Sequence, residues 1–286
     1  MAAIGFIGLG AMGLPMARRL CESGHQITVA VHSNPTPAKE IEKLGGRIVD
    51  GFADVVAGAE VIVSIVPGDP QLEALFLSPG AADNIRPGTL LLEMTTASPA
   101  TMRRVGSYLT ARGVDVLDAP VSGGVKGAKD GTLTIICGGE ARVYDAAMPV
   151  LRCVGARFPL VGGVGAGKGL KAVNQLMVAA NTIIAAEALA LAREMGIDPD
   201  MVRDVVSTSS GNSAAFGNKF ESMSKGDFSP RFTTPLMRKD LSIALMEGAN
   251  IALPLATLAG QLYAMLGPET DRLDYSVIAE LYRAKQ

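Results

Sequence analysis

IGFIGLGAMGLPMARRL, residues 4–20, decides how the rest of the chain is read. Ile4–Ile7 is a short apolar run of strand type, and from about Ala11 to Ser23 the apolar positions recur with helical spacing. Between them Gly8, Leu9, Gly10, Ala11, Met12 and Gly13 spell a G-x-G-x-x-G turn. Alone the pattern is weak, but directly after a strand and at the opening of a helix it has the context of a dinucleotide site. Glycine at 8 permits the tight turn, and Gly10 lets backbone approach a pyrophosphate. Gly13 lets helix and strand pack closely, while the helix N-terminus offers N–H groups and partial positive charge.

The same alternation continues outward. Gln26–Val31 reads as a second strand, Pro37–Leu44 as a helix and Ile48–Val49 as a short third strand. Glu60–Val66 (EVIVSIV) is an unbroken apolar run, as expected of a parallel strand covered on both faces. Thr89–Glu93 and Val114–Leu117 repeat it with the helix Pro99–Arg112 between them, and Thr132–Cys137 and Arg157–Val161 are two further strand candidates. Alternating units of this size predict a doubly wound α/β sheet of Rossmann type. Past Gly163 the pattern becomes helical throughout: one long helix over Gly167–Met195, then Pro199–Ser207, a stretch near Phe216–Lys225, Leu236–Asn250 and Leu255–Met265. The expected organisation is a Rossmann domain over residues 1–163 and an all-α domain over 164–286 that begins with a long interdomain helix.

The 286 residues are 48% hydrophobic and 19% charged, with a formal net charge of −2, so the chain is globular and carries no basic stripe for nucleic acid or a membrane surface. Cys21, Cys137 and Cys153 are an odd number at wide spacing, which fits buried thiols in a reducing compartment. The only histidines, His25 and His32, exclude a histidine-rich metal centre, and no metal is expected. Met1–Ile7 lacks the basic start of a secretory signal, pointing to the cytoplasm. The apolar run Leu176–Ala192 contains Asn181 and Glu187 and reads as too short for a membrane span, hence as a helix buried between protein surfaces.

The end of the second strand normally separates NAD from NADP, an acidic side chain there holding the ribose diol. Val31-His32-Ser33-Asn34 has no carboxylate. His32, Ser33 and Asn34 can donate to a 2′-phosphate, with Lys39 downstream, but no arginine offers a bidentate contact. The pattern leans to NADP(H) and leaves NAD(H) open.

Together with that turn, three later segments resemble the β-hydroxyacid dehydrogenase family, whose members act on 3-hydroxyisobutyrate, tartronate semialdehyde, succinic semialdehyde and glyoxylate. The matching stretches are GFIGLGAMGLPMA at 5–17, DAPVSGG at 118–124, GAGKGLKAVNQ at 165–175 and FTTPLMRKDL at 232–241, in family order along essentially the whole chain. The resemblance implies that Ser122, Gly123 and Gly124 hold a substrate carboxylate, with a hydroxyl and exposed backbone N–H groups as an anion cradle. It maps the family's catalytic lysine onto Lys171 and its substrate-orienting asparagine onto Asn174. Asn174 and Gln175 follow Lys171 at i+3 and i+4 and share its helix face. Hydride transfer leaves charge on oxygen, so a proton donor must sit within reach, and Lys171 supplies one where no histidine is near. Lys239 is implied near the nicotinamide, with Asp240 and Phe232 near substrate. Val66, Pro67 and Thr95, at strand C-termini, are implied cofactor contacts. Arg238 and Asn212–Ser213 are further polar candidates for substrate contact.

Two other readings remain: an imine reductase of the same architecture, and a non-catalytic dinucleotide-binding module, which would have no need of Lys171 with Asn174. Serine hydrolase chemistry fails, since neither VSGG nor GNSAA is a G-x-S-x-G elbow. The expected partners are a small carboxylate substrate and further copies of the chain. The long apolar helix and a mean hydropathy of +0.29 predict a homodimer or homotetramer built through the helical domain.

Overall fold

The computed structural model describes residues 1–283. They fall into two compact units, Met1–Lys171 and the described residues from Ala172 onward. In the first, β1 (Ala3–Ile7), β2 (Gln26–Ala30), β3 (Arg47–Val49), β4 (Val61–Ser64), β5 (Leu90–Glu93) and β6 (Asp115–Asp118) form a six-stranded sheet in the order β3-β2-β1-β4-β5-β6. Every pair in it is parallel, which is the doubly wound dinucleotide-binding order. The connecting helices are α1 (Gly13–Glu22), α2 (Thr36–Lys43), α3 (Phe52–Val56), α4 (Asp69–Phe76) and α5 (Pro99–Thr110).

All four residues of β4 and of β5 are buried, as strands covered on both faces must be. Alternate side chains go to opposite faces. Ile4, Phe6, Val63 and Leu92 join one apolar cluster with Met16 and Leu20 of α1, whereas Ile62, Leu91 and Val116 join another with Leu72 of α4 and Val105 of α5.

After β6 the chain departs from the expected pattern. β7 (Val121–Ser122), β8 (Leu133–Ile135) and β9 (Gly155–Arg157) make a separate three-stranded sheet, with β7 and β8 antiparallel. The strand expected at Arg157–Val161 therefore lies earlier, leaving only a single bridge between Cys137 and Leu160. α6 (Gly124–Asp130) and α7 (Ala141–Val154) were not expected either, nor were α3 and α4. Their sequences explain why: α6 contains Gly127, α7 encloses Pro149, and α4 opens on Gly68-Asp69-Pro70, all of which read as breaks.

α8 (Ala166–Glu194) is a single 29-residue helix that runs from the first unit into the second. At that length it is long and apolar enough to cross a membrane, so the argument from a short apolar run does not hold. What favours a core helix is that 44% of its most apolar window is buried within the protein and that Asn174, Gln175, Thr182 and Glu187 punctuate it. The second unit continues with α9 (Pro199–Ser207), α10 (Ala214–Lys225), α11 (Thr234–Glu247), α12 (Pro254–Ala264) and short 3-10 turns at Pro268–Thr270 and Tyr275–Tyr282. Ile183, Leu189, Phe216, Phe220, Met237, Leu241 and Tyr263 form its core.

Of the glycines, Gly13 has the least room for a side chain. A Cβ there would lie 1.8 Å from the Gly8 carbonyl oxygen. Gly13→Ala is expected to destabilise the first unit by about 1–3 kcal/mol or more, the range for forced overpacking. Urea melts of the variant beside the parent protein measure it.

Candidate active site

The glycine turn occupies the C-terminal edge of β1. Gly8 has φ 98°, and a Cβ on it would meet the Ile65 carbonyl oxygen at 2.0 Å, so both backbone angle and space demand glycine. Gly10 differs: nothing lies within 4 Å of its would-be Cβ, and it is exposed together with Ala11. α1 starts beyond it with no side-chain cap and no acidic residue in its first turn. An open glycine before an uncapped helix N-terminus fits a dinucleotide pyrophosphate. Leu9 and Met12 are partly buried against the core beneath.

His32 and Ser33 follow β2 and are exposed. The Asn34 side chain is committed locally, its Oδ1 accepting the Thr36 N–H at 3.0 Å at the start of α2. Beyond β4, the Val66 N–H donates to Thr95 Oγ1 at 3.0 Å; Pro67 is exposed, whereas Thr95 is fully buried. The Thr95 hydroxyl thus shapes the Val66–Pro67 loop from behind. In the small sheet, Ser122 ends β7, followed by Gly123 (φ 130°) and Gly124 (φ 64°). Both glycines are exposed, and the space beside Gly124 is open.

Behind these strand ends lies a buried charge cluster that the sequence reading missed. The Lys168 side chain, at the third position of α8, is wholly excluded from solvent. Its Nζ lies 2.5 Å from Glu93 Oε2, 2.8 Å from the Glu93 carbonyl oxygen and 3.1 Å from Asp118 Oδ1. Glu93 Oε1 accepts from Ser64 Oγ and the Thr95 N–H, both at 3.0 Å. Asp118 Oδ2 accepts the N–H groups of Gly165 and Lys168, both at 3.0 Å, and so caps α8 from a neighbouring strand. Burial alone would lower the lysine's pKa, but the attraction of Glu93 and Asp118 outweighs it and holds the ammonium above its ordinary value. The available signal was an acidic residue closing each of two otherwise apolar strands, LLLE and DVLD: a buried charge requires a partner.

Lys171 follows one turn later and is buried, 6% exposed. In the second unit, Asn174 Nδ2 donates to Gln175 Oε1 at 3.0 Å, and Gln175 Nε2 to Asp240 Oδ2 at 2.7 Å. Asp240 Oδ1 pairs with Lys239 Nζ at 3.0 Å. Asn174, Asp240 and Lys239, drawn from segments 65 positions apart, thus share one polar chain whose linking member is Gln175. Phe232 is placed otherwise: its ring packs edge-on against Tyr275, centroids 5.7 Å apart, and its N–H donates to Asp274 Oδ2. Asp274 is in turn paired with buried Lys219 at 2.7 Å. Arg238 is a strut, donating to the Tyr263 carbonyl and to Asp271, and Ser213 caps α10 by accepting the Phe216 N–H. Asn212 donates to the Ser207 carbonyl, so these polar candidates serve the fold. The Cys137 thiol is pushed up to about 12 by burial, with Asp118 adding to the effect, which removes it as a nucleophile.

Sheet order and glycine turn define a dinucleotide-binding oxidoreductase fold. Residues 3–163 match the family described as the NAD binding domain of 6-phosphogluconate dehydrogenase, and residues 165–282 that described as NAD-binding of NADP-dependent 3-hydroxyisobutyrate dehydrogenase. The chain is 35% identical to the 3-hydroxyisobutyrate dehydrogenase of Pseudomonas aeruginosa, over 100% of both chains. It is 37% identical to the 2-hydroxy-3-oxopropionate reductase of Escherichia coli, covering 90% of this chain and 87% of that one. The solved Mycobacterium tuberculosis 3-hydroxyisobutyrate dehydrogenase with L-serine superposes with a TM-score of 0.90 at 32% identity, covering 99% of this chain and 100% of that one. The chain belongs to the β-hydroxyacid dehydrogenase family and is an NAD(P)-dependent oxidoreductase.

The open space at Gly10 separates binding from folding. Gly10→Ala is expected to leave the melting temperature close to that of the parent, because no atom is displaced. It should weaken reduced-dinucleotide binding by about tenfold or more, roughly 1.4 kcal/mol, by standing where the pyrophosphate approaches. Nicotinamide fluorescence titration reads the change.

Proposed function

We propose that the chain transfers a hydride between NAD(P)(H) and a small β-hydroxy acid or its semialdehyde, with Lys171 as general acid/base and Asn174 orienting the reacting oxygen. The observation that carries it is the buried Lys171 followed at i+3 by Asn174, itself joined through Gln175 to Asp240. 3-Hydroxyisobutyrate and 2-hydroxy-3-oxopropionate, the compounds for which two relatives are named, share a carboxylate and a reacting carbon β to it. A site for such a molecule needs an anion cradle at one end and a proton-transfer group at the other. Ser122, Gly123 and Gly124 are assigned to the first, supported by the Ser122 hydroxyl and by the exposure of both glycines.

In the oxidation direction the Lys171 amine takes the hydroxyl proton as the hydride leaves the β carbon; in reduction its ammonium returns a proton to the carbonyl oxygen. The nicotinamide supplies the hydride acceptor or donor. Gly8, Leu9, Gly10, Ala11, Met12 and Gly13 are assigned to the pyrophosphate, His32 and Ser33 to the adenosine ribose or its 2′-phosphate, with NADP(H) favoured for want of an acidic residue there. Val66, Pro67, Thr95 and Lys239 are assigned to the nicotinamide side, Thr95 acting through Val66. Phe232 and Asp240 are assigned to substrate, Phe232 as a wall held by Tyr275. In functional terms residues 1–163 bind the dinucleotide and residues 164–286 serve substrate and assembly.

The assembly proposed is a homodimer or homotetramer in the cytoplasm, formed through the helical domain. Val173, Met177, Ile184 and Leu191 recur along one side of α8 at 55%, 57%, 59% and 61% exposure, and a second copy of the chain would cover them. A single monomeric mass by light scattering at micromolar concentration would refute this.

Reduced-nicotinamide absorbance is followed with NADPH and NADH against tartronate, methylmalonate and succinic semialdehydes, glyoxylate and a cyclic imine. Turnover with one aldehyde acid is the expected result; turnover with the imine alone would replace the oxygen substrate. Lys171→Ala is expected to lower kcat by roughly 10²–10⁴-fold, the contribution of a general acid, while dinucleotide binding survives. Near-normal turnover in that variant would remove Lys171 from the role.

A further inference from the structure

We propose that Lys168, clamped between Glu93 and Asp118, is the positioning residue that sets where Lys171 stands; this rests on the reading of Lys171 as general acid/base. Four contacts tie the first turn of α8 to the ends of β5 and β6: the Lys168 Nζ pairs with both carboxylates, and the Gly165 and Lys168 N–H groups on Asp118 Oδ2. All are buried, and Glu93 is itself pinned by Ser64 of β4 and by the Thr95 N–H. Thr95 in turn holds the Val66 N–H, so one continuous set of bonds joins α8 to the loop at the end of β4.

Lys171 lies three residues on, roughly 4.5 Å along the same helix axis. A helix turn is stiff, so a displacement of the clamp is passed to Lys171 almost undiminished. A misplacement of about 1 Å at a reacting group can cost on the order of 10²-fold in rate. Helix start and clamp also fit without slack. A Cβ on Gly167 would meet the Ile136 carbonyl oxygen at 2.5 Å and Asp118 Oδ2 at 2.9 Å, so α8 docks against Asp118 only because residue 167 has no side chain. A fold that needed only an apolar helix start here would have no use for three buried charges, since apolar replacement of buried ion pairs is often neutral or stabilising.

That last point supplies the test. The triple variant, in which Lys168→Met is combined with Glu93→Gln and Asp118→Asn, removes the cation together with both carboxylates. The amide oxygens introduced at 93 and 118 can still accept from Ser64, Thr95 and the N–H groups at the start of α8. Melting temperature, Kd for the reduced dinucleotide, KM and kcat are measured in the parent and in the Lys171→Ala background. We expect a folded protein, Kd and KM within about threefold of the parent, and kcat lower by on the order of 10²-fold, as for a misplaced group. We expect no further loss when the three substitutions are added to Lys171→Ala, since changes acting through one group do not multiply. Parent-like kcat in the triple variant, or losses that multiply with Lys171→Ala, would overturn the proposal. Normal turnover in Lys171→Ala alone would instead overturn the Lys171 reading beneath it. Should the triple variant not fold, Gly167→Ala, which wedges α8 off Asp118 without altering charge, should show the same kcat-only loss. Collapse of both variants would make the cluster a requirement of folding and would also overturn the assignment.

Discussion

Two backbone N–H groups at the start of α8 have no partner within their own helix and find one in Asp118 Oδ2, at the end of β6. Much else follows from that bond. The carboxylate that accepts them is buried and needs a countercharge; Lys168 provides it from the same helix turn and neutralises Glu93 at the end of β5 as well. Helix start, two strand ends and a buried cation are thereby fixed as one piece. The small residues nearby obey the same constraint, since a Cβ on Gly138 or Gly167 would intrude on Asp118.

The cofactor edge is governed by space. Gly8 and Gly13 are required by backbone oxygens closer than any side chain allows, so they build the turn. Gly10 has room around it. Motif glycines that look equivalent in sequence thus divide into two that the backbone requires and one that it does not, the one proposed to face the dinucleotide. The region after β2 shows a similar division: Asn34 initiates α2, whereas His32 and Ser33 stay open to solvent.

In the second unit, two buried carboxylates organise the segment from 228 to 247. Asp240 joins Gln175 to Lys239, and Asp274 receives the N–H groups of Arg231 and Phe232 along with the Lys219 ammonium. The first bears on the polar chain that contains Asn174. The second holds the loop that carries Phe232 and its aromatic partner Tyr275. Arg238, which looks like a substrate contact in RKDL, donates instead to carbonyls and to Asp271 within the helical packing.

Local pattern was enough for whatever has a period or a forbidden conformation. The doubly wound class of the first half follows from its alternating strand and helix runs, the glycine turn from positions where a side chain cannot fit, and the helical second half from its 3.6-residue periodicity. The strand order is read from the structure. Lys171 and Asn174 stand out in the sequence because they share one helix face and one motif, and the roles given to them are proposals. The separate β7-β8-β9 sheet was not, since antiparallel pairing with so short a strand leaves no period to detect, nor was α7, which encloses Pro149. Least legible was the cluster of Glu93, Asp118 and Lys168. In sequence each is a single charge 25 or 50 residues from the next; only the tertiary fold stacks β5 beside β6 and brings α8 onto their ends, where burial turns three isolated charges into one network. Period and sterics act between near neighbours in the chain and can be read along it, whereas charge pairing in a dry interior depends on which strand ends meet.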